Sequence, residues 1–297
     1  MSIKPAEESP SIGLFSMNTD PILRPDALAR VATLAEELGY ESLWAGEHPV
    51  LPDPPSPDSP FDPRLRLADP LVTLSFLAAI THRVRLATGV ILLPLRNPVI
   101  LAKQLASLDV LSGGRPMFGF GLGYIRPEAA AVGAPFADRA ARSLEYLEAM
   151  RSLWHDDKPA YHGRHVDFDH VDAHPRPAQP DLHVVTGGTS PGALRRAITH
   201  AHGWYGFMMR PEQAAEHVRG LRKAAADAVR PSRLGPLEIT VTPRGRLDRA
   251  RLEEFRAAGV HRLVLYPSPD LDEPALLDYV REHAEFITPA RHGMKQA

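Results

Sequence analysis

Short apolar runs recur along the chain at Ile12–Met17, Ser42–Glu47, Val84–Leu93, Pro116–Gly121, Leu182–Thr186, Trp204–Phe207, Leu237–Thr242 and Arg262–Tyr266. Between them lie stretches whose apolar residues fall three and four apart, the spacing that puts one helical face on a core. These cover Pro25–Leu38, Asp69–Ile80, Pro98–Leu111, Asp138–His155, Pro191–Ala201, Pro211–Val229, Asp248–Ala258 and Asp272–Ile287. Several open with Pro or Asp and close near Gly, the residues that suit helix starts and stops.

Eight strands alternating with eight helices predict a closed (β/α)8 barrel, a TIM barrel, rather than an open doubly wound sheet. An open six-stranded sheet with a small extra domain is the alternative. The 297 residues suit one barrel domain spanning 1–297, since such barrels commonly reach ~250 residues without dividing. Two insertions break the alternation. Pro49–Arg66 follows strand 2 and is a candidate lid, because barrel sites are built from loops at the strands' C-terminal ends. Tyr161–Pro180 precedes strand 5 and begins with an alternating pattern that predicts a short hairpin.

Composition narrows the chemistry. The net charge is −2, so no basic field invites nucleic acid or an anionic membrane. There are no cysteines, which removes disulfides, thiolate catalysis and thiolate metal ligands. The polar start MSIKPAEESPSI lacks a signal-peptide core, and no apolar run reaches the ~20 residues of a membrane span. A cytoplasmic protein is expected. The 30 prolines cluster at Pro49–Pro70 and Pro175–Pro180, where they oppose helix.

Candidate chemistry falls at strand ends. Strand 2 ends in Glu47-His48, an acid beside an imidazole that titrates near neutrality; the pair could serve proton transfer or simply cap a loop. Strand 3 is interrupted by Thr88-Gly89-Val90, where a glycine inside a strand marks a bulge or a close backbone approach. Gly119, Gly121 and Gly123 only superficially resemble a dinucleotide fingerprint, since the first lies within a strand. Strand 5 ends in Thr186-Gly187-Gly188-Thr189-Ser190-Pro191 and runs into a helix, which suits anion binding on free amides or an ordinary N-cap. His162, His165, His170 and His174 near Asp167, Asp169 and Asp172 could be read as a metal cluster. The hairpin pattern spreads them over two faces, away from strand ends, and strand 1 ends Ser16-Met17-Asn18 without a His-x-His, so no metal is expected.

Taken together, Leu43-Trp44-Ala45-Gly46-Glu47-His48, the Ala87–Gly123 block, Trp154 with the following hairpin, and Thr186–Pro191 resemble the luciferase-like monooxygenase superfamily. Leu95-Arg96-Asn97-Pro98 and Leu108–Arg115 are most similar to its F420-dependent oxidoreductases. The resemblance implies a (β/α)8 barrel binding coenzyme F420, with FMN as the alternative. It implies a ring against a strand-3 bulge with a non-prolyl cis peptide, here at Gly89–Val90, so Thr88, Gly89 and Val90 become cofactor-binding candidates. His48 becomes the acid/base, and Glu47 contacts the ring or orients its neighbour. Gly187, Gly188, Thr189 and Ser190 hold the cofactor phosphate, with Arg195 and Arg196 nearby. Tyr124 stands where the sugar-phosphate dehydrogenases carry an acidic Glu, so it lines the substrate pocket as an aromatic wall and that substrate class is disfavoured. The implied activity is hydride transfer between F420 and a small organic substrate; FMNH2-dependent monooxygenation, a non-catalytic flavin-binding barrel and a metal-dependent hydrolase are the other readings.

The second helix bears on assembly. Leu71, Val72, Leu74, Phe76, Leu77, Ala78, Ala79 and Ile80 make it apolar nearly all round, whereas an outer barrel helix keeps a wet face. A homodimer is expected, the alternative being cover from the chain's own insertions.

Overall fold

The computed structural model describes residues 3–5, 9–59 and 61–287. Its strands in chain order are β1 (Ser11–Leu14), β2 (Ser42–Ala45), β3 (Arg85–Thr88), the short β4 (Ile91–Leu92), β5 (Pro116–Gly121), β6 (Tyr161–His162), β7 (Asp167–Phe168), β8 (His183–Gly187), β9 (Gly203–Met209), β10 (Glu238–Pro243) and β11 (Arg262–Leu265). The helices are α1 (Pro25–Glu37), α2 (Pro70–Ile80), α3 (Pro98–Ser112), α4 (Arg126–Ala131), α5 (Arg139–His155), α6 (Pro191–His200), α7 (Pro211–Ala226), α8 (Arg249–Ala258) and α9 (Glu273–His283).

Parallel strands run in the order β3-β2-β1-β11-β10-β9-β8-β5, and pairing of β3 with β5 closes the ring. Leu86 meets Pro116 and Ala87 meets Met117 at that closure. The fold is therefore the (β/α)8 barrel, and the open sheet is excluded. The antiparallel β6–β7 pair forms the expected hairpin, Tyr161 opposite Phe168.

Two features depart from the sequence reading. The run Val84–Leu93 is not one strand: β3 stops at Thr88, β4 resumes at Ile91, and Leu93–Leu95 turns as a short 3-10 helix. An apolar run carries no mark of a backbone break, so only the glycine hinted at it. The six-residue α4 was not expected either, because its sequence RPEAAA has no apolar periodicity to read.

Helix starts follow local chemistry. Asp69 accepts from Leu71 and Val72 amides at α2, Asn97 from Val99 and Ile100 at α3, and Ser190 from Ala193 at α6, each satisfying an orphan first-turn donor. Gly113 ends α3 in the left-handed region at φ 69°, where glycine carries no Cβ penalty.

The core has two layers. Leu and Ile residues fill the space between strands and helices, among them Leu43, Leu86, Leu101, Leu105, Leu147 and Leu263. Phe15, Trp44, Ala87, Met117, Val185, Tyr205 and Val264 fill the barrel itself. Its polar tips are satisfied: Trp44 Nε1 donates to Ser42 Oγ at 2.8 Å, and the Tyr205 hydroxyl meets Thr242 Oγ1 at 2.6 Å. Below, Arg262 holds Glu41 through Nε and Nη2 at 2.7 and 2.8 Å. The interior is thus a plug, and chemistry is left to the mouth.

Candidate active site

The site grows from the break in strand 3. The Gly89–Val90 peptide is cis and non-prolyl, as the sequence resemblance implied. Gly89 sits directly on the aromatic plug: a Cβ there would lie 2.6 Å from Phe15, 3.0 Å from Trp44 and 3.4 Å from Tyr205. The neighbouring strand makes equal room, since a Cβ on Gly119 would fall 2.0 Å from the Thr88 carbonyl oxygen and one on Gly121 2.7 Å from Val90. Gly119 and Gly121 therefore seat the bulge rather than cradle a nucleotide. The Thr88 hydroxyl is spent inside the wall, donating to Gly119 O at 2.7 Å and accepting from Gly119 N at 2.8 Å. What Thr88–Val90 present to the mouth is backbone and the Val90 side chain.

Glu47 and His48 diverge, as successive residues leaving a strand do. The Glu47 carboxylate is buried; it accepts from the Leu92 amide at 2.5 Å and from Arg96 Nε at 2.7 Å, with Arg96 Nη2 also on it. Arg96 reaches on to Asp69 at 2.5 Å. Burial pushes the Glu47 carboxyl above the usual carboxylate range, while Arg96 and the Leu92 amide pull the other way. This clamp ties β2, β4 and the start of α2 behind the bulge. Glu47 does not orient His48, which corrects half of the role expected of it. Gly46 is held too, by Asn18, whose Nδ2 donates to Gly46 O at 2.8 Å and whose Oδ1 accepts from Gly46 N.

His48 turns toward the mouth. Its ring lies 5.0 Å from Phe61, which comes from the Pro49–Arg66 insertion, and 6.0 Å edge-on from Tyr124. Its Nδ1 lies 3.1 and 3.3 Å from the two carboxylate oxygens of Glu128 on α4. Glu128 is 1% exposed. Tyr124 stays half exposed, its hydroxyl raised above the usual phenol range by burial and by the Glu128 charge. Phe15, Phe207 and Tyr266 complete an aromatic rim, with ring centroids 5.4 to 5.8 Å apart.

Beside the bulge, on the far side of β5, lies the β8–α6 turn, where a Cβ on Gly187 would fall 3.9 Å from Val90. Gly188 has φ +105°, and a Cβ there would lie 2.8 Å from Ala193 and 3.9 Å from Arg196 Nη2. Trp204 Nε1 pins its carbonyl at 2.8 Å. Gly187 is partly buried, whereas Thr189 and Ser190 are exposed, the latter capping α6. Arg195 points to solvent, but Arg196 is only 7% exposed, with its Nε buried and partnerless. It makes no hydrogen bond or ion pair among the described residues, and burial lowers its pKa. The Thr186 hydroxyl is likewise buried without a partner. An arginine behind a helix N-terminus whose Nε is buried without a partner leaves a charge that an arriving anion would compensate. These residues fit the phosphate of a flavin or deazaflavin cofactor.

The remaining candidates are dispersed. His162 pairs with Asp167 at 3.1 Å, His170 with Asp169 at 3.7 Å and His174 with Asp172 at 3.1 Å, all on exposed surface. Among the described residues no three such side chains converge as a metal set. A groove of about 670 Å³ lined by Arg151, His155, Asp181, His200 and Arg233 opens beside the N-terminal end of β8, remote from the mouth. Sequence reasoning missed Glu128, Phe15, Phe61, Phe207 and Tyr266, and Arg96 as the partner of Glu47. Only the strand-end position of Phe15, Phe207 and Tyr266 could have marked them.

Fold and site together define a (β/α)8 barrel with a glycine-lined bulge in strand 3 and a buried, unpartnered Arg196 Nε behind the β8–α6 turn. The luciferase-like monooxygenase family model matches residues 11–258, and the chain belongs to that family of oxidoreductases. An uncharacterized protein of Mycobacterium tuberculosis is 37% identical over 201 residues, 65% of this chain and 70% of its own length. An F420-dependent glucose-6-phosphate dehydrogenase of Kineococcus radiotolerans is 32% identical over 58% of this chain and 50% of that protein. Among solved structures, a monooxygenase from Streptomyces bottropensis superposes with TM-score 0.74 at 23% identity, covering 93% of this chain and 98% of that one. An F420-dependent secondary alcohol dehydrogenase bound to an F420–acetone adduct gives TM-score 0.74 at 17% identity, covering 94% and 99%. Those two likenesses bear on fold alone. A deazaflavin or a flavin is the cofactor class of this family's relatives and neighbours.

Proposed function

We propose that the chain is an F420-dependent oxidoreductase that moves hydride between coenzyme F420 and a small organic substrate, with His48 as acid/base. The observation that carries this reading is the convergence, at one barrel mouth, of the Gly89–Val90 backbone, the His48 imidazole and the unpartnered Arg196 behind Gly188. When bound, the cofactor supplies a carbon centre that accepts or returns hydride. The chain's residues do the rest. Gly89 and Val90 offer a flat backbone seat, while Gly187, Gly188, Thr189, Ser190 and Arg196 hold the phosphate. His48 takes up or returns the substrate proton, a role that suits an imidazole near neutral pH. The aromatic surround of Phe61, Tyr124, Phe207 and Tyr266 favours a small uncharged substrate. Tyr124 lacks the carboxylate of the sugar-phosphate dehydrogenases, so the 32% identity to one of them supports the cofactor more than the substrate.

Titration of the purified protein with F420 and with reduced FMN tests the cofactor. Tight F420 binding is expected; tight FMN binding without F420 binding would turn the reading to an FMNH2-dependent monooxygenase. His48→Ala is expected to keep F420 affinity and to lose turnover on the order of a hundredfold or more. Equal turnover in both proteins removes His48 from the chemistry.

The chain is also proposed to form a homodimer through α2 and α3. Val72, Ile100 and Leu111 are 70%, 60% and 77% exposed there, an apolar surface that soluble monomers usually cover.

A further inference from the structure

Glu128 is a buried carboxylate whose side-chain partner lies at the barrel mouth. It is 1% exposed, and its only hydrogen-bonding partner among the described residues is His48 Nδ1. A carboxylate taken from water demands compensation, and α4, which carries it, is a single short helical segment rather than a core element. The contact has a particular form. Nδ1 sits at nearly equal distances, 3.1 and 3.3 Å, from both oxygens. An imidazole N–H shared between two carboxylate oxygens has that geometry. An ionised carboxylate can only accept, so the hydrogen belongs to the imidazole. At the far side of the ring, Nε2 makes no hydrogen bond to any described residue and is not sealed from solvent.

We propose that Glu128 is a positioning residue that fixes neutral His48 as its Nδ1–H tautomer and leaves a bare Nε2 facing the barrel mouth. This inference rests on His48 being the acid/base. Free neutral histidine prefers the opposite tautomer, with hydrogen on Nε2, which could not take a proton at that atom. Glu128 thus selects the form in which Nε2 accepts the substrate proton, and its charge then stabilises the imidazolium that results. Phe61 and Tyr124 hold the ring's two remaining sides, so rotation of the imidazole away from Glu128 is opposed by packing.

The test is ¹⁵N NMR of the histidine-labelled protein, with the His48 signals identified by their loss in His48→Gln. In the unsubstituted protein, neutral His48 is expected as Nδ1–H. In Glu128→Leu it reverts to Nε2–H, kcat falls on the order of tenfold to a hundredfold, and F420 affinity is unchanged. An Nε2–H signal in the unsubstituted protein overturns the proposal without reference to any variant, so a Glu128→Leu protein that fails to fold does not protect it. Persistence of Nδ1–H in Glu128→Leu overturns it equally. The functional reading fails separately: if His48→Ala keeps turnover while the Nδ1–H tautomer is found, Glu128 orients a histidine that does not act.

Discussion

Arg196 and Glu128 are two buried charged residues whose burial is explained by what each faces. Glu128 has its counter-group in His48; Arg196 has none among the described residues. The consequence for Arg196 can be given a sign. Arg196→Met removes a guanidinium charge whose Nε is buried without a partner and keeps the apolar stem, so the free protein is expected to become more stable by up to about 1 kcal/mol. The same change removes a charge-assisted contact worth ~1.5–3 kcal/mol, so F420 affinity falls about tenfold to a hundredfold. Inorganic phosphate should raise the melting temperature of the unsubstituted protein but not of the variant. Thermal unfolding with and without phosphate reads both effects. A less stable free variant would mean that Arg196 serves packing instead of an anion.

At the scale of elements, the same barrel helix has two kinds of apolar face. Leu71, Leu74 and Leu77 of α2 are buried against the wall, while Val72 on the opposite side stays open. Ile100 and Leu111 extend that open surface along the adjacent α3. Mixed exposure on a nearly all-apolar helix was legible from its pattern; what covers it was not. Val72→Asp with Leu111→Asp is expected to convert a dimer to monomers in sedimentation equilibrium without loss of helical content. A monomeric unsubstituted protein would discard the dimer. Strand 3 teaches the complementary lesson. Its interior glycine marked a bulge, but not that Gly89 has to meet Phe15, Trp44 and Tyr205, residues from distant parts of the chain. What Gly89 packs against is decided only by the closed barrel.

Across the whole molecule, chemistry and stability occupy opposite ends of the barrel. Near the N-terminal end, Asp181 pairs with Arg233 at 3.0 Å and His202 at 3.4 Å. Burial alone would raise its pKa, but these two partners prevail and hold it at about 2. A depressed folded-state pKa contributes stability that is present above the ordinary value of 3.8 and is lost as pH falls toward about 2. Asp181→Asn should therefore be less stable at pH 6 by about 1–2 kcal/mol, allowing for solvent screening. The gap should close as pH falls toward that pKa, and denaturant unfolding across the acid range measures it. A gap that persists unchanged in acid would assign Asp181 to packing rather than charge.

The eightfold alternation of runs and periodic stretches determined the barrel, because strand and helix periods are local properties of the chain. Glu47, His48, Gly89 and the Gly187–Ser190 turn stood out for the same reason: strand ends, an interior glycine and a helix start can be read in one dimension. What Glu47 and His48 each touch was decided only by tertiary structure. Glu47 turns inward to Arg96 and Leu92, and His48 turns outward to Glu128, eighty positions along the chain. The β3–β5 closure brings those segments together, and no local pattern records a partner across a closed sheet. The buried, unpaired state of Arg196 is of the same kind, because exposure is a property of the packed barrel and not of the sequence.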